Sequence, residues 1–589
     1  MSIVGNIPIK KKHKSENKGA NMNKIYFVLL LSLFSISIYA TDFSEPVLHR
    51  PPTNFDITET DREAPEGFEI VNPAEFGRVD GIYMAWAGWA TDTITAIANA
   101  VAEEYTVFML VENLYNHTLA YTHLSTNGVN MDNVVFITDE NISNSSIWIR
   151  DYFPFFIYED GSRSLSDFMY MTYPSDEYVV QTISDEFSFP FYGSSMIHHG
   201  GNHISDGNGL AFVSDNIYAH NQAWSEEEIA TEFNDYLGID SLIVVQPMAG
   251  DGTGHIDMFC KLLSDTLIVV GEYETPEDSY PGDYALLNGL ATHLANMQNI
   301  DGRPFRVERI PMPPFSYDGW TINYTYTNSL IINDIVLVPI YGFEMDAEAL
   351  QVYEDLMPGY DIIGIDSAFI IEYWGATHCM TNSHYSQNPL IVLHENEESI
   401  PYNSAPQIKF RLNPKFIDSQ ASVLYKLISE TEFTEISAAL SGGIWTASLP
   451  EVTEDFQYYI EGEAISGASE FYTTLPETAP TEFFTVDVTD VSVDDVLGTH
   501  EISLSNYPNP FNPSTIISFN LTTEHTENIK KLSIEIYNVK GQKVNQLRVT
   551  NYKLGLNEVV WDASEFSSGI YFCKLNIQNS PAKKMVLMK

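Results

Sequence analysis

Cysteine is scarce: Cys260, Cys379 and Cys573 are all there are in 589 residues. That excludes a disulfide scaffold and a zinc ribbon. Positive charge is scarce as well, with 29 Lys+Arg against 80 Asp+Glu and a net charge of −51. So acidic a chain does not grip phosphate backbones or anionic lipid, which excludes nucleic acid as a partner. Apolar runs long enough to matter for a bilayer are missing except for Ile25–Ile38. Core-forming residues are plentiful. Hydrophobic residues make up 44% and aromatics 13% of the chain, which rules out global disorder. The length exceeds one ordinary domain, and three or more are expected.

Charge and pattern divide the chain. Residues 1–40 carry six lysines, one acid (Glu16) and the run Ile25–Ile38, ending at Ala40 before polar Thr41. This order reads as a signal peptide, with Met22 as an alternative start and a membrane anchor as the rival. Its removal takes away +5 and leaves about −56. Residues 41–65 are Pro- and acid-rich and read as a pro-segment or arm. From 66 to 388 strand and helix signals alternate. A strand–turn–strand unit recurs at Trp148–Asp167, Gly209–Ala219, Met258–Glu272 and Ser329–Tyr341. Acidic helix-compatible stretches such as Ser225–Tyr236 and Met345–Leu356 follow, so either a repeat architecture or an ordinary α/β domain is expected. Residues 389–486 read as a small β-sandwich, and 487–502 as a polar linker. Residues 503–589 are β-patterned and hold ten of the 29 cations from Lys530 onward, which marks a separate module.

Between Ser164 and Gly302 there are 22 acids and one cation, Lys261. Most of these acids are solvated surface, but four contexts invite chemistry. Trp148-Ile149-Arg150-Asp151 opens an aromatic run. A carboxylate there needs a cationic partner, either an internal salt bridge or a cationic ligand at Asp151. His199 and His203 are spaced as a zinc pair would be on a helix, yet Gly200-Gly201 between them favours a tight loop instead. In Gly254-His255-Ile256-Asp257 a strand would place His255 and Asp257 on one face, as an acid/base and substrate clamp. Cys379 follows Trp374-Gly375-Ala376-Thr377-His378 in a loop after an apparent strand, Ala368–Tyr373. It is a nucleophile or inert packing, and a Cys260–Cys379 disulfide in an exported protein would silence it.

The order Trp-x-Arg-Asp, Gly-Gly-Asn, Gly-His-x-Asp, Tyr-Thr-Asn and Gly-x-x-His-Cys-x-Thr over residues 66–388 resembles the bacterial peptidylarginine deiminases and their agmatine deiminase relatives. The resemblance implies an α/β fold, a five-bladed α/β propeller of ββαβ units, followed here by an immunoglobulin-like β-sandwich. It implies that Asp151 and Asp257 hold a guanidinium, whose paired N–H donors suit two carboxylates. Cys379 matches the nucleophile and His255 the general acid and base. Asn328 matches a supporting position, and Trp148 would wall the pocket. No metal or organic cofactor is required, and no acidic calcium loop is apparent. The segments Tyr507–Thr515, Ile536–Gly541 and Ser568–Tyr571 resemble the sorting domain of type IX secretion cargo, which implies the secretion machinery as a partner and a secreted or cell-surface location.

Export favours arginine in peptides or proteins over agmatine. An enzyme specific for C-terminal arginine should have a cation for the free carboxylate. Phe168–Ser175 offers none, and Arg163 is the nearest candidate; internal peptidyl arginine or relaxed specificity is therefore expected. Two rivals stand beside this reading: a non-catalytic adhesin on a deiminase-like scaffold, and a metal-dependent amidohydrolase. The retention of Asp151, His255, Asp257 and Cys379 weighs against the first. The lack of a convincing ligand set weighs against the second. The oligomeric state is not legible.

Overall fold

The structure is a computed structural model that describes residues 63–142, 146–170, 176–317, 320–489 and most of 504–587. The expected leader and most of the arm and linker lie outside the described residues. No helix among the described residues is long and apolar enough to cross a membrane.

The region up to Tyr385 is mixed α/β. Five small sheets share one plan: an antiparallel pair, a helix, then a strand parallel to the second of the pair. Phe155–Glu159 and Ser162–Met169 pair antiparallel, and Phe191–Ile197 returns parallel after helix Val179–Phe187. Cys260–Leu262 with Leu267–Glu272, and Leu330–Ile332 with Ile335–Ile340, repeat this with helices Asp283–Ala295 and Met345–Leu356. The fifth sheet joins the two ends of the region. Asn382–Tyr385 pairs antiparallel with Val79–Ala85, beside which Thr106–Val111 and Val134–Thr138 run parallel.

Local chemistry explains several of these elements. The turn Asp160-Gly161 has φ of 45° and 76°. Positive values at both positions suit the right-handed twist of a two-residue hairpin, and Asp-Gly adopts them readily. Helix Glu226–Leu237 starts with a reciprocal cap between Ser225 and Glu228 and ends at Gly238, φ 66°. Buried Ile82, Met109, Val269, Val338 and Leu337 line strands that alternate little, as expected where both faces are covered.

Three expectations are corrected. Gly209–Ala219 is not a hairpin. Leu210–Ser214 runs into a short helix, Asn216–His220, and its antiparallel partner is Ile204–Ser205 upstream. Ala368–Tyr373 is not a strand: Ile370–Tyr373 is a 3-10 turn, closed by Trp374 at φ 66°. His255 and Asp257 do not alternate along a strand. Ile256–Met258 is also a 3-10 turn, and the strand begins only at Cys260. Glycine-rich flanks permit tight turns that apolar patterning alone does not distinguish from strands.

Two further sheets occupy 391–489, with Phe410, Val423, Trp445 and Phe456 buried in a shared core. The contact with the α/β region is both apolar and polar: Ile82 and Phe156 share one buried cluster with Phe410 and Phe471, and a Cβ on Gly161 would lie 2.7 Å from the Phe471 ring. Buried Asp265 pairs with Arg303 and accepts Arg411 Nε at 3.0 Å on each oxygen, and Asn413 Nδ2 donates to the Asp206 carbonyl at 2.8 Å. The described part of 504–587 is all β, around Ile517, Phe519, Ile536, Trp561 and Cys573.

Candidate active site

The connections that precede or follow these strands bring together residues far apart in sequence. Asp151 lies in the one-turn helix Ile149–Tyr152, buried. Its Oδ1 accepts the Gly201 N–H at 3.2 Å and lies 3.4 Å from His255 Nδ1, an ion-pair approach longer than a good hydrogen bond. The two glycines make this approach feasible. A Cβ on Gly201 would sit 2.6 Å from His255 Nδ1 and 2.7 Å from Asp151 Oδ1, and one on Gly200 would sit 2.0 Å from the Arg150 carbonyl oxygen. Burial pushes the Asp151 carboxyl up to about 6, the charge of Asp257 adding to this and His255 opposing it.

Asp257 faces the thiol. Its Oδ2 accepts from Asn328 Nδ2 at 2.9 Å, contacts His378 Nδ1 at 2.7 Å and lies 3.7 Å from Cys379 Sγ. Its Oδ1 is buried without a hydrogen-bond partner among the described residues. A buried acceptor in that state awaits a donor. Asn328 ties the two groups together, with Nδ2 also 3.2 Å from Cys379 Sγ and Oδ1 accepting the His378 and Cys379 N–H at 3.1 and 3.4 Å. Burial, then the charges of Asp257 and Asp151, push the Cys379 thiol well above its ordinary range. Without a cationic ligand it is a neutral thiol.

Trp148 is half-buried and packs against Gly375, where a Cβ would lie 2.4 Å from its ring. Arg150 pairs with no carboxylate within 4 Å among the described residues; its Nε reaches the His378 carbonyl at 3.4 Å and its own N–H donates to the Cys379 carbonyl at 3.1 Å. His199 and His203 diverge. His199 Nδ1 meets His255 Nε2 at 3.1 Å, while His203 Nε2 meets Asn72 Oδ1 at 2.8 Å, so they do not form a joint metal site. Cys260 and Cys379 are unlinked, and burial pushes the Cys260 thiol up to about 12. Arg163 is drawn to His384 and the Tyr385 carbonyl instead of the site.

The sequence reading assigned nothing to a chain of buried groups behind the thiol. His378 Nε2 lies 2.7 Å from Glu75 Oε2, and Glu75 Oε1 pairs with Lys261 Nζ. Burial would raise Glu75, but Lys261 and His378 outweigh it and hold the carboxyl well below its ordinary range. His378 thus lies between two carboxylates, one ring nitrogen against each. Lys261 carried a signal, as the lone cation among 22 acids. His378 stood next to Cys379 unassigned, and Glu75 sits in no motif.

A buried cysteine against a carboxylate and an amide, together with a histidine–carboxylate pair, makes a thiol-centred cluster that holds two buried carboxylates. The profile of the Porphyromonas-type peptidyl-arginine deiminases matches residues 71–384, and the chain belongs to that family. A secretion-system C-terminal sorting domain matches residues 505–589. A Vibrio parahaemolyticus protein named agmatine deiminase is 25% identical over 363 residues, covering 54% of this chain and 97% of its own. A Yersinia pseudotuberculosis protein of the same name is 23% identical, covering 52% and 93%. A crystal structure also bearing the agmatine deiminase name matches with a TM-score of 0.50 at 22% identity, covering 55% of this chain and 98% of that one. This last likeness concerns the fold.

Proposed function

We propose that the protein is an exported hydrolase that converts the guanidinium of arginine in peptides or proteins to citrulline, releasing ammonia. The observation that carries this reading is Asp257, with one oxygen 3.7 Å from Cys379 Sγ and the other buried and unpartnered. A guanidinium held by that oxygen and by Asp151 would bring its carbon to the thiol. Its positive charge would offset the two carboxylates that keep Cys379 protonated. As the guanidinium binds, the thiol gives its proton to His255, and the thiolate so formed adds to the guanidinium carbon. His255, between Asp151 and His199, gives a proton to the departing nitrogen, which leaves as ammonia. The amidino group then rests on sulfur as a thiouronium. Water, deprotonated by His255, adds to its carbon and the thiolate leaves, giving the ureido group. Asn328 and His378 keep Asp257 in register, and Trp148 forms a wall.

In this reading the five equivalent sheets are the blades of a propeller, residues 66–388 are its catalytic domain, and residues 389–486 are an immunoglobulin-like sandwich. Residues 1–40 are a signal peptide, 41–65 an arm, 487–502 a linker and 503–589 the segment read by type IX machinery. Cleavage would then leave the enzyme released or at the surface. Agmatine is the second substrate to weigh, because the curated relatives carry that name. The reading is tested by assaying agmatine, free arginine, a peptide with internal arginine and one ending in arginine. Citrulline within the internal-arginine peptide is the expected result. Turnover of agmatine alone would replace the substrate, and strict preference for terminal arginine would overturn the end specificity.

A further inference from the structure

The segment that leads to Cys379 carries large side chains that the site does not use. Phe369 and Tyr373 are 50% and 43% exposed, and Trp89, from the loop after Val79–Ala85, is 43% exposed beside them. Ring centroids are 5.0 Å apart for Trp89–Tyr373, 5.5 Å for Phe369–Tyr373 and 6.3 Å for Trp89–Phe369. The strip continues towards the site. Trp320, 47% exposed, donates from its indole N–H to the Glu372 carbonyl at 3.3 Å and sits edge-on to Trp374 at 6.5 Å. Trp374 lies over Gly252, three residues before His255, and the next residue, Gly375, lies against Trp148. Exposed aromatics contiguous over such a length are a recognition feature more often than a packing one.

Charge narrows the ligand. No lysine or arginine occurs between Arg78 and Arg150 or between Arg309 and Lys409, the two stretches that supply the strip. Carboxylates there are exposed: Asp92, Asp366 and Glu372. A surface of ring faces and carboxylates attracts guanidinium and ammonium groups, through cation–π contact and ion pairing. It repels a free carboxylate.

We propose that this strip docks the polypeptide on either side of the target arginine, and that it selects basic segments, rich in lysine and arginine. The inference rests on the peptidyl reading above and names its substrate class. Agmatine is too small to bridge the pocket and the strip, and a chain ending at the arginine would bring a carboxylate towards it.

The test compares kcat/KM for internal-arginine peptides flanked by lysines or by glutamates, with agmatine as control, in the full chain, in Trp89→Ala/Phe369→Ala and in Glu372→Lys. The full chain is expected to prefer the lysine-flanked peptide at least tenfold. Both variants should lose most of that preference and leave agmatine turnover unchanged. Equal losses on agmatine, or an unaltered preference, would overturn the docking role. If agmatine is turned over and no peptide is, the peptidyl reading itself has failed, and the docking role with it. Binding gives a second readout, independent of turnover. Titrating Cys379→Ala with an arginine-free lysine peptide should change tryptophan fluorescence in a salt-sensitive way, and a glutamate peptide should not. An equal response to both would contradict the proposal.

Discussion

At the scale of single residues, the site depends on charges that the fold holds at a cost. Asp151 is the clearest case, a buried carboxyl raised to about 6 from an ordinary value near 3.8. A folded value above the unfolded one means that ionisation opposes folding, so the contribution of Asp151 to stability falls as pH rises from about 4 through 6. Asp151→Asn should therefore raise Tm at pH 8, by the equivalent of about 3 kcal/mol, and the gain should shrink towards pH 4. The same substitution should lower kcat/KM by at least about 100-fold. Thermal melts across this range check the first part; a pH-independent difference would mean that the charge is not the cause. The charged pocket residues were legible because polar types in aromatic or glycine-rich company are conspicuous. Glu75 was not, because its meaning comes only from Lys261 and His378 across the fold.

Elements set the tolerances. The Gly200–Asn202 turn lets Asp151 and His255 meet, and it has no room for a methyl group beside either. Gly201→Ala should reduce kcat by about 100-fold or more through displacement of His255. Far-UV circular dichroism should be unchanged, because the turn precedes a two-residue strand and carries little of the core. Retained activity would show that His255 can shift without loss. Elements with strong local chemistry were readable from sequence: the Asp160-Gly161 hairpin, the capped helix at Ser225 and helix Met345–Leu356, which matches its expected bounds. The errors at Gly209–Ala219, His255–Asp257 and Ala368–Tyr373 share a cause. In each, a few apolar residues beside glycine or a polar pair form a turn or short helix, and runs that brief fit a strand equally well. The actual turns leave His255, Asp257 and Cys379 buried, with Asp257 Oδ2 3.7 Å from Cys379 Sγ.

For the whole molecule, the deiminase region and the sheets that follow it share one buried apolar cluster and several polar anchors, Asp265–Arg411 among them. Asp265 is 2% exposed on its side chain and shared between Arg303 and Arg411. Removing one of two cations from a buried carboxylate costs stability without stranding the charge altogether. Arg411→Met should lower stability by about 1–2 kcal/mol and leave kcat within twofold, and Arg303→Met should do the same. A large loss of activity with an unchanged Tm would show instead that the contact tunes the site. Changes of charge and periodicity propose an order of segments along the chain. The Asp265–Arg411 contact was not legible, because the two are 146 residues apart and look like ordinary surface charges in sequence.

The account turns on Cys379 attacking the guanidinium carbon while Asp151 and Asp257 hold it. Acid-quenching the enzyme during turnover of an internal-arginine peptide, then digesting and weighing its fragments, observes that bond directly. An amidino group on the Cys379 fragment, absent in Cys379→Ala and absent without substrate, is the predicted result. Citrulline formed at wild-type rate by Cys379→Ala would contradict the account.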